Sequence, residues 1–188
     1  MESENGRQRI LESARGLLLS RGYSGFSYAD ISEEVGMRKA SIHYHFPSKE
    51  DLGAAFVEQY HAETLAMMRA ADALSPRERI EAYLRSVEQI LKFGDRICAS
   101  GILEAEYNVL PESVQRRVKK MVADVQKWLA HALAEARAAG AAEFEGKPED
   151  QAALLMASTQ GALQMARLNR KHFAAITRQI RRSLGWNA

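Results

Sequence analysis

The stretch RKASIHYHF, residues 38–46, gathers two imidazoles, a phenol, a hydroxyl and two cations. His43-x-His45 invites a metal or acid–base pair. On a helix, residues two apart point about 200° from each other, so the two rings cannot close on one ion. The i, i+4 histidine pair that holds zinc on one helical face is absent. Elsewhere there is no nucleophile elbow, no Gly-rich phosphate loop and no carboxylate pair at a readable spacing. The expectation is therefore a protein that is not an enzyme, with no cofactor and no metal.

The same nine residues suit another task. At about 100° per residue, Ile42 and Phe46 fall within about 40° of each other and define a core side. His45 lies about 60° from Ile42, partly buried. Ala40, Ser41, His43 and Tyr44 face outward, with Arg38 and Lys39 splayed from the N-terminal end. The start of a recognition helix meets base edges in the major groove. Arginine and lysine match guanine acceptors, and an alanine methyl meets a thymine methyl. Hydroxyls and imidazoles suit phosphates. Arg38 stands where a helix favours Ser, Thr, Asp or Asn, and giving up that cap costs about 1 kcal/mol. A functional reason competes there with an ordinary solvated arginine.

Bulk charge does not help. The chain carries +2 overall, and residues 1–52 hold seven Lys/Arg against eight Asp/Glu, one negative charge net. The argument for DNA rests on where charges sit.

The elements that must position this face read as all-α, about nine helices in 188 residues. A first helix over about 6–21 stops at Gly22. Ser27-x-x-Asp30 opens a short second helix, and Gly36 ends it. A third covers about 38–45. Ser48-x-x-Asp51 opens a long fourth helix to about Leu74, and Ser75-Pro76-x-Glu78 starts a fifth. GDRICASG, residues 94–101, breaks the pattern. A sixth helix then runs to Val109, a seventh from Pro111 to about Ala139, an eighth over about 148–169 and a ninth over about 171–184. The eighth has two apolar faces, Leu155/Thr159/Ala162/Leu163/Ala166 and Leu154/Ser158/Gly161/Met165/Leu168, which implies burial on both sides. The last two helices read as a dimer interface, with an internal core helix as the alternative.

No apolar run approaches the roughly 20 residues that span a bilayer, and MESENGRQRI lacks the apolar core of a signal peptide. Cys98 is the only cysteine, which fits a reducing cytoplasm.

Two short helices joined at a glycine after a longer one make a helix-turn-helix pattern. With GFSYADISEEVGMRKASIHYHFPSKEDL, residues 25–52, the chain resembles the TetR family of transcriptional repressors, TetR/AcrR type. The resemblance implies a DNA-binding domain over 1–50 and a ligand-binding and dimerisation domain over 51–188. It implies a homodimer on a near-palindromic double-stranded operator, released by a small-molecule inducer. By position, Arg38, Lys39, Ala40 and Ser41 would face bases or adjacent phosphates, and Ser27, Tyr28, Tyr44 and Lys49 would anchor phosphates. His43 stands at the family's usual tyrosine position, with the tyrosine moved to 44. A helical scaffold without specific DNA binding is the competing reading.

GDRICASGILEAEYNVLP resembles a TetR subgroup in which some members sense electrophiles or oxidants through a cysteine. Cys98 is then either a reactive thiol, with Arg96 nearby, or a small buried hydrophobe. Glu106 lies on an apolar stripe and needs a partner, either a structural cation or a ligand. Met67, Phe93, Tyr107, Trp128 and Met156 complete the candidate ligand set, with core packing on their helix stripes as the competing reading of each.

Overall fold

The computed structural model describes residues 2–93 and 98–186. Among them are nine α-helices and no strand: α1 (Glu2–Arg21), α2 (Tyr28–Val35), α3 (Lys39–His45), α4 (Lys49–Ala71), α5 (Pro76–Ile90), α6 (Ala99–Ala105), α7 (Glu112–Ala138), α8 (Pro148–Leu168) and α9 (Lys171–Ser183). Short 3-10 turns cover Leu91–Phe93 and Tyr107–Val109. The break expected at 94–101 begins in residues 94–97, and those, with Arg96 and the Phe93 side chain, lie outside the described residues.

The caps form as their spacing dictates. Ser27 and Asp30 close a reciprocal capping box on α2, and Ser75 with Glu78 does so on α5, with Pro76 in the first turn. At α4, the Ser48 amide donates to Asp51 Oδ2 at 3.0 Å and the Asp51 amide to Ser48 Oγ at 3.1 Å. Each box satisfies N–H groups that a helix start otherwise leaves orphaned. Arg38 caps α3 with extended backbone and no side-chain bond.

The chain divides into two compact units, residues 1–63 with 99–121 and residues 64–98 with 122–188. The unit that holds α1–α3 thus also takes α6 and the first part of α7. In that unit Ile10, Leu18, Ile31, Ile42, Phe46 and Leu52 are buried. In the second, the apolar cluster centres on Ile80, Leu129, Leu133, Ala152 and Leu155. Polar contacts also tie the helices of this unit together. Tyr83 Oη lies 3.1 Å from Thr159 Oγ1, tying α5 to α8. Arg181 donates to both oxygens of Glu81 at 2.9 and 2.8 Å, tying α5 to α9. That fork holds the Glu81 carboxyl below its ordinary range, the hydrogen bond from Arg181 being the larger cause.

The turn between α2 and α3 rests on Gly36, at φ 67° and ψ 27°. A Cβ there would meet nothing within 4 Å, so a substitution is opposed by backbone conformation alone. Gly36→Ala is expected to lower stability by about 1 kcal/mol, with Gly36→Asn costing less because asparagine tolerates the left-handed region better. Urea unfolding checks this; equal midpoints for all three proteins would remove the turn's conformational demand.

Candidate DNA interface

The third helix is seated from below and open above. Ile42 is fully buried and Phe46 nearly so. The Ser32 hydroxyl donates to Met37 O at 2.6 Å, and the Arg9 guanidinium to Val35 O at 2.6 Å, so the turn before α3 is held on both sides. Arg38, Lys39 and Ala40 are exposed, and Tyr44 is 79% exposed, the largest value among the exposed large hydrophobics of this unit. Ser41 is half-buried. His45 leans toward α1, where a Cβ at Gly6 would sit 3.0 Å from its Nε2. His43 is exposed, so the two histidines serve different sides of the helix.

The other expected DNA residues are already engaged in the fold. Ser27 Oγ donates to Asp30 Oδ2 at 2.7 Å and accepts from the Ala29 amide at 3.2 Å. The Tyr28 hydroxyl lies 2.8 Å from Phe46 O and 2.6 Å from Ser48 O. Its one proton is shared between two carbonyls at the α3–α4 junction. Burial, then the charge of Asp51, pushes its pKa up to about 12. His43 Nδ1 lies 3.1 Å from Pro47 O, and its ring is 4.7 Å from that of Tyr28. A carbonyl only accepts, so Nδ1 carries the proton and Nε2 is left for other partners.

Lys49 is placed differently from the expected phosphate anchor. Its ammonium donates to Phe26 O and sits over the rings of Phe26 and Tyr23, 4.4 and 4.9 Å from their centroids. Burial lowers its pKa, against the opposing pull of Glu106 and Asp30. Arg7, which the sequence reading passed over, lies 4.9 Å above the Phe46 ring. No spacing rule points to it, because the contact joins residues 39 positions apart.

Residues 10–56 match the description "Bacterial regulatory proteins, tetR family", and residues 76–182 match "Tetracyclin repressor-like, C-terminal domain". The chain belongs to the TetR family. It is 28% identical over 170 residues to the HTH-type transcriptional repressor NemR of Escherichia coli (strain K12), covering 87% of this chain and 85% of that one. A crystal structure of a TetR-family transcriptional regulator from Agrobacterium tumefaciens is 35% identical with a TM-score of 0.92, over 97% of this chain and 98% of that one. The reduced form of E. coli NemR is 26% identical with a TM-score of 0.79, over 95% and 97% of the two chains. This TetR-family chain and its relatives are DNA-binding transcriptional regulators, not enzymes. Among the described residues no helix is long and apolar enough to cross a membrane, and no group of three metal-ligating side chains is present.

The candidate ligand residues are divided between the two compact units. Met156 belongs to the apolar cluster of the second unit and Cys98 and Trp128 border it, with Trp128 Nε1 donating to Asp72 Oδ1 at 2.9 Å. Met67, half-buried, belongs to the same unit. Glu106 and Tyr107 belong to the other. The hydrogen bonds of Glu106 go to the main chain rather than to an arginine. Its Oε2 accepts from the Tyr23 amide at 2.5 Å and its Oε1 from the Ser24 amide at 3.1 Å. The sequence hides this because main-chain donors carry no residue signature. The Tyr107 ring lies under the Lys119 ammonium, 5.3 Å away.

Tyr28 and Tyr44 are expected to separate in stability. Tyr28→Phe leaves two carbonyls without their donor and is expected to cost about 1 kcal/mol, while Tyr44→Phe leaves the urea midpoint unchanged. Tyr23, like Tyr28, is held neutral by burial to about 12. The folded state therefore binds more protons than the unfolded one above pH 10, so stability is full below 10 and falls between 10 and about 12. Ultraviolet titration of tyrosinate checks this; all tyrosines ionising together near 10 would refute it.

Proposed function

We propose that this chain is a ligand-responsive repressor. It binds a near-palindromic operator as a homodimer through α8 and α9, and a small-molecule inducer releases it. The observation that carries the reading is the outer face of α3. Arg38, Lys39, Ala40 and Tyr44 are exposed together, while Ile42 and Phe46 anchor the opposite side. The cationic pair at the helix start suits guanine edges or flanking phosphates, and the Tyr44 hydroxyl suits a phosphate. Ser41 and the free nitrogen of His43 flank it. Ser27, Tyr28 and Lys49 then act by holding that face in place.

The dimer reading is supported by the second apolar face of α8. Leu155, Thr159, Ala162, Leu163 and Ala166 are buried, whereas Leu154, Met165 and Leu168 are 56, 43 and 89% exposed in the single chain. Gly161 and Ala157 are exposed on the same side, which permits close helix approach. A groove of about 370 Å³ between α8 and α9 adds Ile176, Arg178 and Ser183 to this surface. A second copy is the occupant that a self-complementary, apolar, small-residue face suits. Inducer binding is assigned to the second unit, around Met67, Cys98, Trp128 and Met156, with Phe93 beside them in sequence order. Action on DNA places the protein in the cytoplasm.

The experiment is selection of duplexes from a random library by the purified protein, followed by affinity measurement against salt. A selected near-palindrome should bind with a steep salt slope, and Lys39→Ala should weaken it about tenfold or more and flatten that slope. If Lys39→Ala and Tyr44→Ala both leave binding intact, α3 is not the reading helix. Leu154→Glu with Leu168→Glu should convert the dimer to a folded monomer in sedimentation; a persistent dimer would move the interface elsewhere.

A further inference from the structure

The carboxylate of Glu106 is spent within the DNA-reading unit, on a stretch of chain 83 residues away. Both oxygens are used, one on the Tyr23 amide and one on the Ser24 amide. Gly22 makes this possible. Its φ of 84° turns the chain at the end of α1, so that two successive N–H groups face one anion, as in other peptide nests. A Cβ on Gly22 would lie 2.7 Å from Glu106 Oε2, so no larger residue fits while the carboxylate stays.

The loop seated in this way reaches α3 by a short chain of contacts. The Tyr23 hydroxyl donates to Lys49 O at 3.1 Å. The Lys49 ammonium returns over the Tyr23 and Phe26 rings to Phe26 O. Tyr28, two residues beyond Phe26, ties the carbonyls of Phe46 and Ser48. The carboxylate, the loop, the first residue of α4 and the last turn of α3 are thus one connected network.

We propose that Glu106 is a positioning residue for operator recognition: its carboxylate seats the Tyr23–Phe26 loop and, through Lys49, sets how α3 is presented, without touching DNA. The inference rests on the reading of α3 as the DNA-binding helix.

The test uses full-length protein, the duplex selected by wild type, and a scrambled duplex of equal length. Glu106→Ala should weaken the selected duplex by about tenfold, the scale of a lost charge-assisted pair. Binding to the scrambled duplex and the salt slope should stay within about twofold, because the phosphate contacts are intact. Glu106→Gln, which keeps one acceptor but turns an amide nitrogen toward the second N–H, should fall between. Glu106→Ala combined with Lys49→Met should be little worse than the stronger single variant, since both break one path. Circular dichroism checks folding, and if the alanine variant does not fold, the glutamine variant carries the same comparison. Selected-duplex affinity within about twofold of wild type, equal losses on both duplexes, or strictly additive effects would each overturn the proposal. Wild type selecting no duplex at all would instead overturn the reading of α3, and this inference with it.

Discussion

A seven-residue helix does not sustain itself in water, because nucleation is costly and one turn and a half returns few hydrogen bonds. The α3 helix, Lys39–His45, is such a helix, and its cap position is held by an arginine that makes no capping bond. Its existence depends on burial of Ile42 and Phe46 and on fixed chain entry and exit. Entry is set by Gly36 and the Ser32 and Arg9 contacts to the turn. Exit is set by Tyr28 and His43, which bind the Phe46, Pro47 and Ser48 carbonyls. With both ends fixed mainly from outside the helix, Arg38 and Lys39 are relieved of structural duty, and a cation can stand where a capping serine otherwise would.

This arrangement separates polar side chains into those that hold and those that are free to bind. Ser27, Tyr28 and Lys49 carry the same functional groups as Ser41, Tyr44 and Lys39, yet their atoms are committed to the fold. Lys49 is the clearest case. A desolvated ammonium over two aromatic rings gains from their quadrupoles, and its hydrogen bond to Phe26 O satisfies a carbonyl in the loop. The near-zero charge of residues 1–52 is then less surprising. Recognition needs a few cations at one helix start, and two of the acidic residues, Asp30 and Asp51, are used as helix caps.

The local features were legible in the sequence. Capping boxes at Ser27, Ser48 and Ser75, the glycine stops and the core register of Ile42 and Phe46 depend on neighbours within four residues, which spacing rules describe. The two faces of α8 were legible for the same reason, because 3.6-residue periodicity separates Leu155 from Leu154 without knowledge of the partner. Glu106 was legible only as a carboxylate that needed something. Its partners are main-chain amides of Tyr23 and Ser24, which any residue could supply, and they become available only once Gly22 has turned the chain. Lys49 is the same kind of case: position in a motif gives the side chain, and tertiary packing decides whether the ammonium faces water or an aromatic pair. The division into compact units, with α6 grouped beside α1, likewise depends on long-range packing that helix periodicity does not encode.

The exposed face of α8 and the small size of α3 belong to one argument. A single seven-residue helix meets only a few bases, and most of its contacts are phosphate contacts that carry no sequence information. Tightening one such head by adding cations would raise affinity for all DNA alike. Joining two identical heads works differently. Once one is bound, the second engages at a high effective concentration, so two modest readings multiply into a specific one. Association through Leu154, Met165 and Leu168 would also remove exposed apolar area that a lone chain leaves in water. Under the proposed pairing, recognition would be kept economical within each chain, and specificity would come from joining two heads rather than from a larger or more basic reading surface.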